Sequence, residues 1–527
     1  MPDGTRLSWW VGAEDRWHVP AAEAATRDRL VDGAPVLETL VRIPSGDGVG
    51  LVTVGRADGV DRPSVIFDIE NASPIPVAFA FVVESAATMT AVAAGIVVNG
   101  SGTLELTRPA LGYAVGATVD EVRAIVESGD VLAEPPPEAR SGVVAVLLPL
   151  PHTAHAVAVF TPDEAVSAEA ASVELRDRAG VPGPDRVAAG WAIHSGLGPR
   201  FDVGDEQRSA VLSAARCDLL LGADPDSSHV QDGRIAEATA RLGWIDRPGL
   251  LIDLVDDQRR SGAIAGDDPV GATAQFLRTA AAWWSGGLDP ERAEHLVGPI
   301  AQAGHWLARG RRRPSIEGRQ ALVADALRSV LGLLADVEQP EVAADLAAFA
   351  DRIAAEAPTS GQIGDRPQGS GELLAALADG LSWAGTTGPD PALSADFVIA
   401  SIDDLVAESG DTLELIRGWN PGWAGVGIEA HEVPTRWGLL SFGLRWHGDR
   451  PALLWEILGY EGRQNAIRPT LTAPLLDPAW RSTDAVGETL LAVPPDVAPA
   501  PTPAPTPAPT PPPTGPGDIV DGGANFS

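Results

Sequence analysis

The chain has no lysine; every basic residue other than histidine is arginine. That absence excludes a P-loop lysine, a Schiff-base lysine for pyridoxal phosphate and a kinase-type strand lysine. Cysteine is nearly as scarce. The single Cys217 lies in the apolar run from Ala214 to Leu220. It allows no internal disulfide and no cysteine-based zinc site, and it reads as a small buried residue rather than a nucleophile. Positive charge is in short supply: 38 basic residues face 72 acidic ones, a formal net charge of −34. Such a field repels nucleic acid and anionic lipid, so neither is an expected partner. It suits neutral or cationic ligands, or serves only solubility. Long apolar runs are missing too. The stretch 143–160 comes nearest and is broken by Pro149, Pro151, His152, Thr153 and His155. The start Met1-Pro2-Asp3-Gly4-Thr5-Arg6 does not read as a signal peptide. A cytoplasmic protein without a membrane partner is expected. There is no Gly-x-Ser-x-Gly elbow, no dinucleotide glycine fingerprint after a strand and no histidine cluster at metal spacing, so no cofactor and no metal are expected.

What is present divides the chain into four. At 527 residues two or three domains are expected. Residues 1–162 alternate with period two: Leu37, Thr39, Val41 and Ile43, then Val65, Phe67 and Ile69 against Asp68 and Glu70. Many short β-branched runs bounded by Gly, Pro and Asn predict an antiparallel β-sandwich. The acidic stretch 117–140, with Pro135-Pro136-Pro137, reads as a loop crossing its surface. Over 185–410 the period becomes helical, as in Leu296, Ile300, Ala303 and Leu307 or Val323, Leu327, Val330 and Leu334. Asp268-Pro269, Asp289-Pro290 and Asp390-Pro391 each place an N-cap acceptor before a proline at the first helical position. Nine or ten helices are expected, as an α/α toroid or an α-solenoid. No motif repeats at a solenoid period, which favours the toroid. Over 411–490 strands return, with Leu440, Phe442, Leu444 and Trp446 on one face of a hairpin. Residues 493–527 are expected to be a disordered, Pro-rich tail.

Candidate functional residues fall in three groups. Tryptophan outnumbers phenylalanine, 15 to 10. Indole faces stack on sugar rings, and Trp419 and Trp423 lie in a Gly/Pro-punctuated segment suited to that; Trp437 lies close by. The alternative is that such rings are core. Glu429 and His431 share a strand face, a carboxylate beside an imidazole that suits acid–base work or a salt bridge with Arg436 or Arg445. Acidic residues gather at helix connections: Asp253, Asp256, Asp257, Asp267 and Asp268, with Asp268 spent as a cap, and Asp232 near a helix start after His229-Val230-Gln231. The run Arg309, Arg311, Arg312 and Arg313 suits a helix C-terminus or an anionic sugar phosphate.

The order of parts, with the rhythm Asp232-Gly233-Arg234 to Leu242-Gly243, then Leu250 to Leu254, then Gln258 to Ile264, resembles the six-hairpin glycosidases of the glucoamylase-like and disaccharide-phosphorylase-like kind. The resemblance implies a carboxylate pair, in inverting enzymes about 6.5–9.5 Å apart. It also implies a cleft at one end of the toroid. The family's Trp-Glu acid motif occurs only as Trp455-Glu456, on an expected strand, so no catalytic residue is carried over. The residues themselves nominate Asp232, Asp257, Asp267 and Glu429 for acid–base roles, and Trp419, Trp423, His431 and Trp437 for substrate. The expected function is a glycosidase-like protein acting on or binding an α-glucan or small glucoside. The alternatives are a non-catalytic carbohydrate-binding or scaffold protein, or an α-solenoid interaction protein.

Overall fold

The structure, a computed structural model, describes residues 4–137, 140–167, 173–222, 228–244, 254–309, 315–356, 370–380, 390–448, 450–461, 463 and 468–492. The Pro-rich tail, Asp253, Arg311–Arg313 and the side chain of Arg309 lie outside these residues.

Twelve strands open the chain: β1 (Arg6–Gly12), β2 (Trp17–His18), β3 (Arg27–Leu30), β4 (Val36–Ile43), β5 (Gly46–Gly55), β6 (Ser64–Ala72), β7 (Val77–Val92), β8 (Gly95–Val98), β9 (Gly102–Leu106), β10 (Gly112–Gly116), β11 (Arg140–Leu150) and β12 (His155–Pro162). They form one continuous sheet in the order β10-β11-β7-β8-β9-β12-β6-β5-β4-β3, with β1 on β7 and β2 on β1. The sheet curls on itself through the long strand β7. Its first half pairs with β1 and β11, and its last residues, Met89–Val92, pair with β8. The sandwich expected from the period-two pattern is therefore two halves of a single sheet. Phe67 and Phe81 meet edge-on between the halves at 6.2 Å, inside a core that also holds Trp9, Ile69, Val146 and Phe160. The halves come close where a side chain is missing: a Cβ on Gly50 would sit 2.5 Å from the Trp9 ring.

The expected loop at 117–140 contains a helix, α1 (Val119–Ser128), capped by Thr118 and ended by Gly129 at φ 76°. Two of its three acidic residues, Asp120 and Glu121, lie in the first turn, where they favour the positive helix end. Val122 and Val126 bury themselves against Trp10, Val82 and Ala145 on the outer face of the sheet. A surface helix reads as an acidic loop when only its charge is weighed, although Val119, Val122, Ile125 and Val126 follow at helical spacing.

Ten further helices follow among the described residues: α2 (Pro184–Ser195), α3 (Glu206–Leu221), α4 (His229–Arg241), α5 (Pro269–Ser285), α6 (Pro290–Arg309), α7 (Gln320–Ser329), α8 (Leu331–Asp336), α9 (Pro340–Glu356), α10 (Ser370–Gly380) and α11 (Pro391–Leu405). Asp268, Asp289 and Asp390 accept the first free backbone N–H groups of α5, α6 and α11. The packing runs from α10 and α3 to α11, α4, α5, α7 and α9 in succession. Helix α5 is the most enclosed, apolar on nearly every side. No helix among the described residues is long and apolar enough to cross a membrane.

Strand β13 (Arg200–Asp202) leaves the helical stretch and joins the C-terminal strands. These are β14 (Val406–Ser409), β15 (Thr412–Leu415), β16 (Ile428–Thr435), β17 (Gly438–His447), β18 (Arg450–Leu458), β19 (Thr470–Ala473), β20 (Asp477–Ser482) and β21 (Val486–Leu490). They make a five-stranded sheet, β13-β16-β17-β18-β21, and a four-stranded one, β14-β15-β19-β20. Leu212, Leu219, Ile235, Phe397 and Ile402 of the helices share one core with Leu415, Ile428, Phe442 and Trp455 of the strands. The helical layer and the strand module thus hold each other.

Candidate functional site

The nominated acids Asp232, Asp257 and Asp267 lie around His229, whose ring contacts Asp257 and approaches Gly266 beside Asp267, while Glu429 and His431 lie together on β16. Asp257 is exposed and takes a hydrogen bond at 2.7 Å from Nε2 of His229. Asp267 is exposed, and Asp232 is half-buried in the first turn of α4. Glu429 and His431 do share a face of β16, with Nε2 of His431 3.4 Å from Oε2 of Glu429. Arg445 donates to Oε1 of Glu429 at 3.0 Å. Arg445, then His431, hold the Glu429 carboxyl below its ordinary value. The trio is an open, solvated ion-pair cluster.

The tryptophans turn mostly inward. Trp423 is only 3% exposed and Trp437 only 5%. Trp423 lies under the guanidinium of Arg208 at 5.7 Å, and Trp437 under that of Arg436 at 4.1 Å. Each ring thus has an arginine against one face. Trp419, half-buried and 6.2 Å from both Trp423 and Trp446, keeps a ring at the surface.

A polar cleft lies elsewhere, between α4, α5, the start of α7 and α11. Its volume is about 560 Å³, open solvent at the mouth included. Helix α4 begins with a capping box of Ser228 and Gln231, which fixes its first turn. Gly233 then lets α5 come close: a Cβ there would meet Gln275 Cγ at 2.5 Å. That approach lets Thr279 Oγ1 donate to the Gly233 carbonyl at 2.9 Å and sets Gln275 against Glu237. Glu237 and Arg234 line the cleft from α4, Gln275 and Arg278 from α5, and Asp396 from α11, with Asp268 and Arg319 at the rim.

Each carboxylate of the cleft has an arginine. Arg234 Nη1 donates to Asp396 Oδ2 at 2.9 Å, and Arg278 Nη2 to Glu237 Oε1 at 3.2 Å. Gln275 Nε2 donates to Glu237 Oε2 at 2.8 Å. Arg319 grips both oxygens of Asp268 at 2.7 and 2.6 Å. The two inner carboxyls are nevertheless tuned apart. Burial pushes Asp396 up to about 6, with Arg234 only partly pulling it back. Burial acts on Glu237 too, but Arg278, Arg241 and the Gln275 hydrogen bond outweigh it and hold that carboxyl below its ordinary value. At neutral pH Glu237 is a fixed anion, whereas Asp396 sits near the pH at which it takes a proton.

Sequence reasoning missed this cleft, although a trace of it is written there. Arg234, Glu237 and Arg241 follow at helical spacing among Ile235, Ala236, Ala238 and Ala240, and Asp396 stands alone in Ala395-Asp396-Phe397-Val398-Ile399. Charges on a helix with no polar face must meet partners inside the protein. Among the described residues, no group of three or more His, Cys, Asp or Glu side chains gathers to hold a metal.

No protein-family model matches the chain, and no curated protein matches it. Solved structures do overlap with it in part. A bacterial glucoamylase in complex with acarbose gives 10% identity and a TM-score of 0.45 over 66% of this chain and 60% of that one. A family GH92 inverting mannosidase from Bacteroides thetaiotaomicron gives 8% and 0.31 over 66% and 55%. A family GH78 rhamnosidase of Bacillus sp. GL1 gives 10% and 0.33 over 77% and 52%. The chain thus spans between half and three fifths of each of these enzymes. None of these TM-scores reaches 0.5, and the overlap carries no substrate and no residue role across to this chain.

Proposed function

We propose that this is a glycosidase-like protein that holds a carbohydrate, an α-glucan or small glucoside, in the cleft lined by Arg234, Glu237, Gln275 and Asp396. The observation that carries the reading is the lining of the cleft. Planar guanidinium donors, carboxylate acceptors and the Gln275 amide stand beside the apolar side chains of Val230, Leu322 and Ile399. A sugar needs that mixture, because its hydroxyls both donate and accept while its C–H face seeks apolar contact. The order of a β-sandwich, a helical layer and a small β module, which resembles the six-hairpin glycosidases, points the same way. The toroidal closure of the helical layer and a stacking role for Trp419 belong to this proposal.

Binding without turnover is the version the carboxylates favour. A general base must be free to accept a proton, and Glu237 is tied by Arg278, Arg241 and Gln275. Asp396 is the one cleft carboxyl poised to deliver a proton near neutrality. Calorimetric titration with maltose, maltotriose and methyl α-glucoside tests the reading, with hydrolysis and phosphorolysis assays in parallel. Binding weakened at least about tenfold by Arg234→Met, the loss of one charged hydrogen bond, is expected. Absence of binding across the panel rejects the proposal. Turnover that Asp396→Asn abolishes makes the protein an enzyme.

A further inference from the structure

The ion pairs of the cleft are not equivalent. Asp268 is bound into the fold, because its Oδ1 also caps α5 through the Gly271 N–H at 3.0 Å. Glu237 is 2% exposed and shared between two arginines and Gln275. The Arg234–Asp396 pair is joined by a single contact, from an arginine side chain 30% exposed to an aspartate side chain 11% exposed. It forms part of the cleft wall. The charged groups facing Asp396 are Arg234 and Glu237 from α4, Arg278 from α5 and Asp390 at the start of its own helix. The two acids oppose its negative charge and the two arginines favour it, while burial, the largest influence, opposes it. Asp396 is therefore the cleft anion that gives up its charge most readily.

We propose, resting on the sugar-binding reading, that the Arg234–Asp396 pair is an exchangeable latch: the sugar carries an acid group that displaces Asp396 from Arg234, and Asp396 takes up a proton as it does so. The charge balance of the lining supports this. Arg234, Arg278 and Arg319 face Glu237, Asp268 and Asp396. Neutralising Asp396 leaves one guanidinium in excess, which a carboxylate or phosphate on the sugar fills bidentately. The net charge of −34 opposes any anion at long range, so the attraction is local and depends on that proton. A neutral sugar requires no exchange.

The test is calorimetric titration of the full chain in two buffers of different ionisation enthalpy, from pH 6 to 8. D-glucuronate and glucose 6-phosphate are the two acid arms, and D-glucose is the neutral control. Both acid sugars are expected to bind more tightly than glucose, with uptake approaching one proton at pH 7.5. Their affinity is expected to fall by up to about tenfold per pH unit above 6, as one-proton linkage requires. Binding by one acid sugar alone identifies the acid group as carboxylate or phosphate. In Asp396→Asn the linked proton disappears, apart from the phosphate's own titration, and acid sugars bind at pH 7.5 at least about tenfold more tightly than to the natural protein. Glucose binding with no preference for either acid sugar overturns the latch and leaves the sugar-binding reading standing. So does proton uptake that survives in Asp396→Asn. Failure of all three sugars to bind overturns the latch, and failure of maltose, maltotriose and methyl α-glucoside as well overturns both.

Discussion

Asp218 gives the sharpest stability test, because it lies outside the cleft and its environment is simple. It sits on α3, and its Oδ2 accepts from Ser394 Oγ at 2.7 Å. Burial raises its pKa from 3.8 to about 6; the Ser394 hydrogen bond works against that rise and the charge of Asp390 with it. A carboxyl whose folded value lies above its unfolded value binds more protons in the native state. Stability is then lost, not gained, as pH rises between about 4 and 6. The difference is about two units, and each unit corresponds to about 1.4 kcal/mol, so about 3 kcal/mol is the ceiling of the cost at neutral pH. Asn keeps an oxygen for Ser394 and removes the charge. Asp218→Asn should therefore stabilise the protein by about 1–3 kcal/mol at pH 7.5 and by less than about 1 kcal/mol at pH 4. Urea unfolding at the two pH values, with an unchanged m-value, measures it. Equal gains at both pH values, or a loss at pH 7.5, refute the account of Asp218 as a buried and penalised charge.

The remaining predictions concern packed charge and packed space. Glu237→Gln leaves Arg278 and Arg241 without their shared anion and should cost about 3–5 kcal/mol in urea unfolding at pH 7.5. Because the folded Glu237 carboxyl lies below its ordinary value, its contribution is present above that range and is lost as pH falls through the folded value, so the cost should shrink in acid. Arg241→Met should destabilise as well, and more at pH 7.5 than at pH 4; a pH-independent loss would mean that Arg241 only packs. Gly50→Val should cost about 1–3 kcal/mol, because its Cβ would press on the Trp9 ring at 2.5 Å across the curled sheet. A thermal midpoint equal to that of the natural protein would show that the two halves can part freely.

The elements were more legible in the sequence than the site. Period-two runs such as Val65, Phe67 and Ile69 mark strands because one face of each is buried, and the Asp-Pro pairs mark helix starts because cap chemistry is local. Strand β13 could not be read, since three residues become a strand only by pairing with β16, more than two hundred residues later. The continuity of the N-terminal sheet was hidden for a similar reason: it depends on β7 changing partners along its length. The cleft was masked by the habit of reading charge as surface. Glu429 and His431 stand out because polar residues crowd there, and in the structure they lie on a solvated strand face. Glu237 and Asp396, isolated among apolar neighbours, are the charges the fold had to accommodate. For the loop tryptophans, punctuation by glycine and proline says where a chain turns, not which way an indole points.

The charges of the cleft do not end at its wall. Glu237 stands between Arg278 and Arg241, and Arg241 Nη1 reaches Asp403 Oδ1 at 2.6 Å. Arg241 also acts on Glu408, whose Oε1 accepts the Arg436 backbone N–H at 3.1 Å. Arg436 in turn donates to Asp411 at 2.6 Å, in the turn between β14 and β15 of the strand module. Signs alternate along this line, so every inner charge is balanced by neighbours on two sides. Such a row is no strong source of stability, because the desolvation of its members offsets most of their attraction. Its consequence is positional: Arg278 cannot leave its place in the cleft without exposing Glu237, nor Glu237 without disturbing Arg241. The cleft wall on the α4–α5 side is thereby fixed from behind, from the strand module inward. On the α11 side the backbone is held by Ser394, Asp403 and the buried Phe397 and Ile402, but the Asp396 side chain, joined to Arg234 by a single contact, is left as the part that can yield to a ligand.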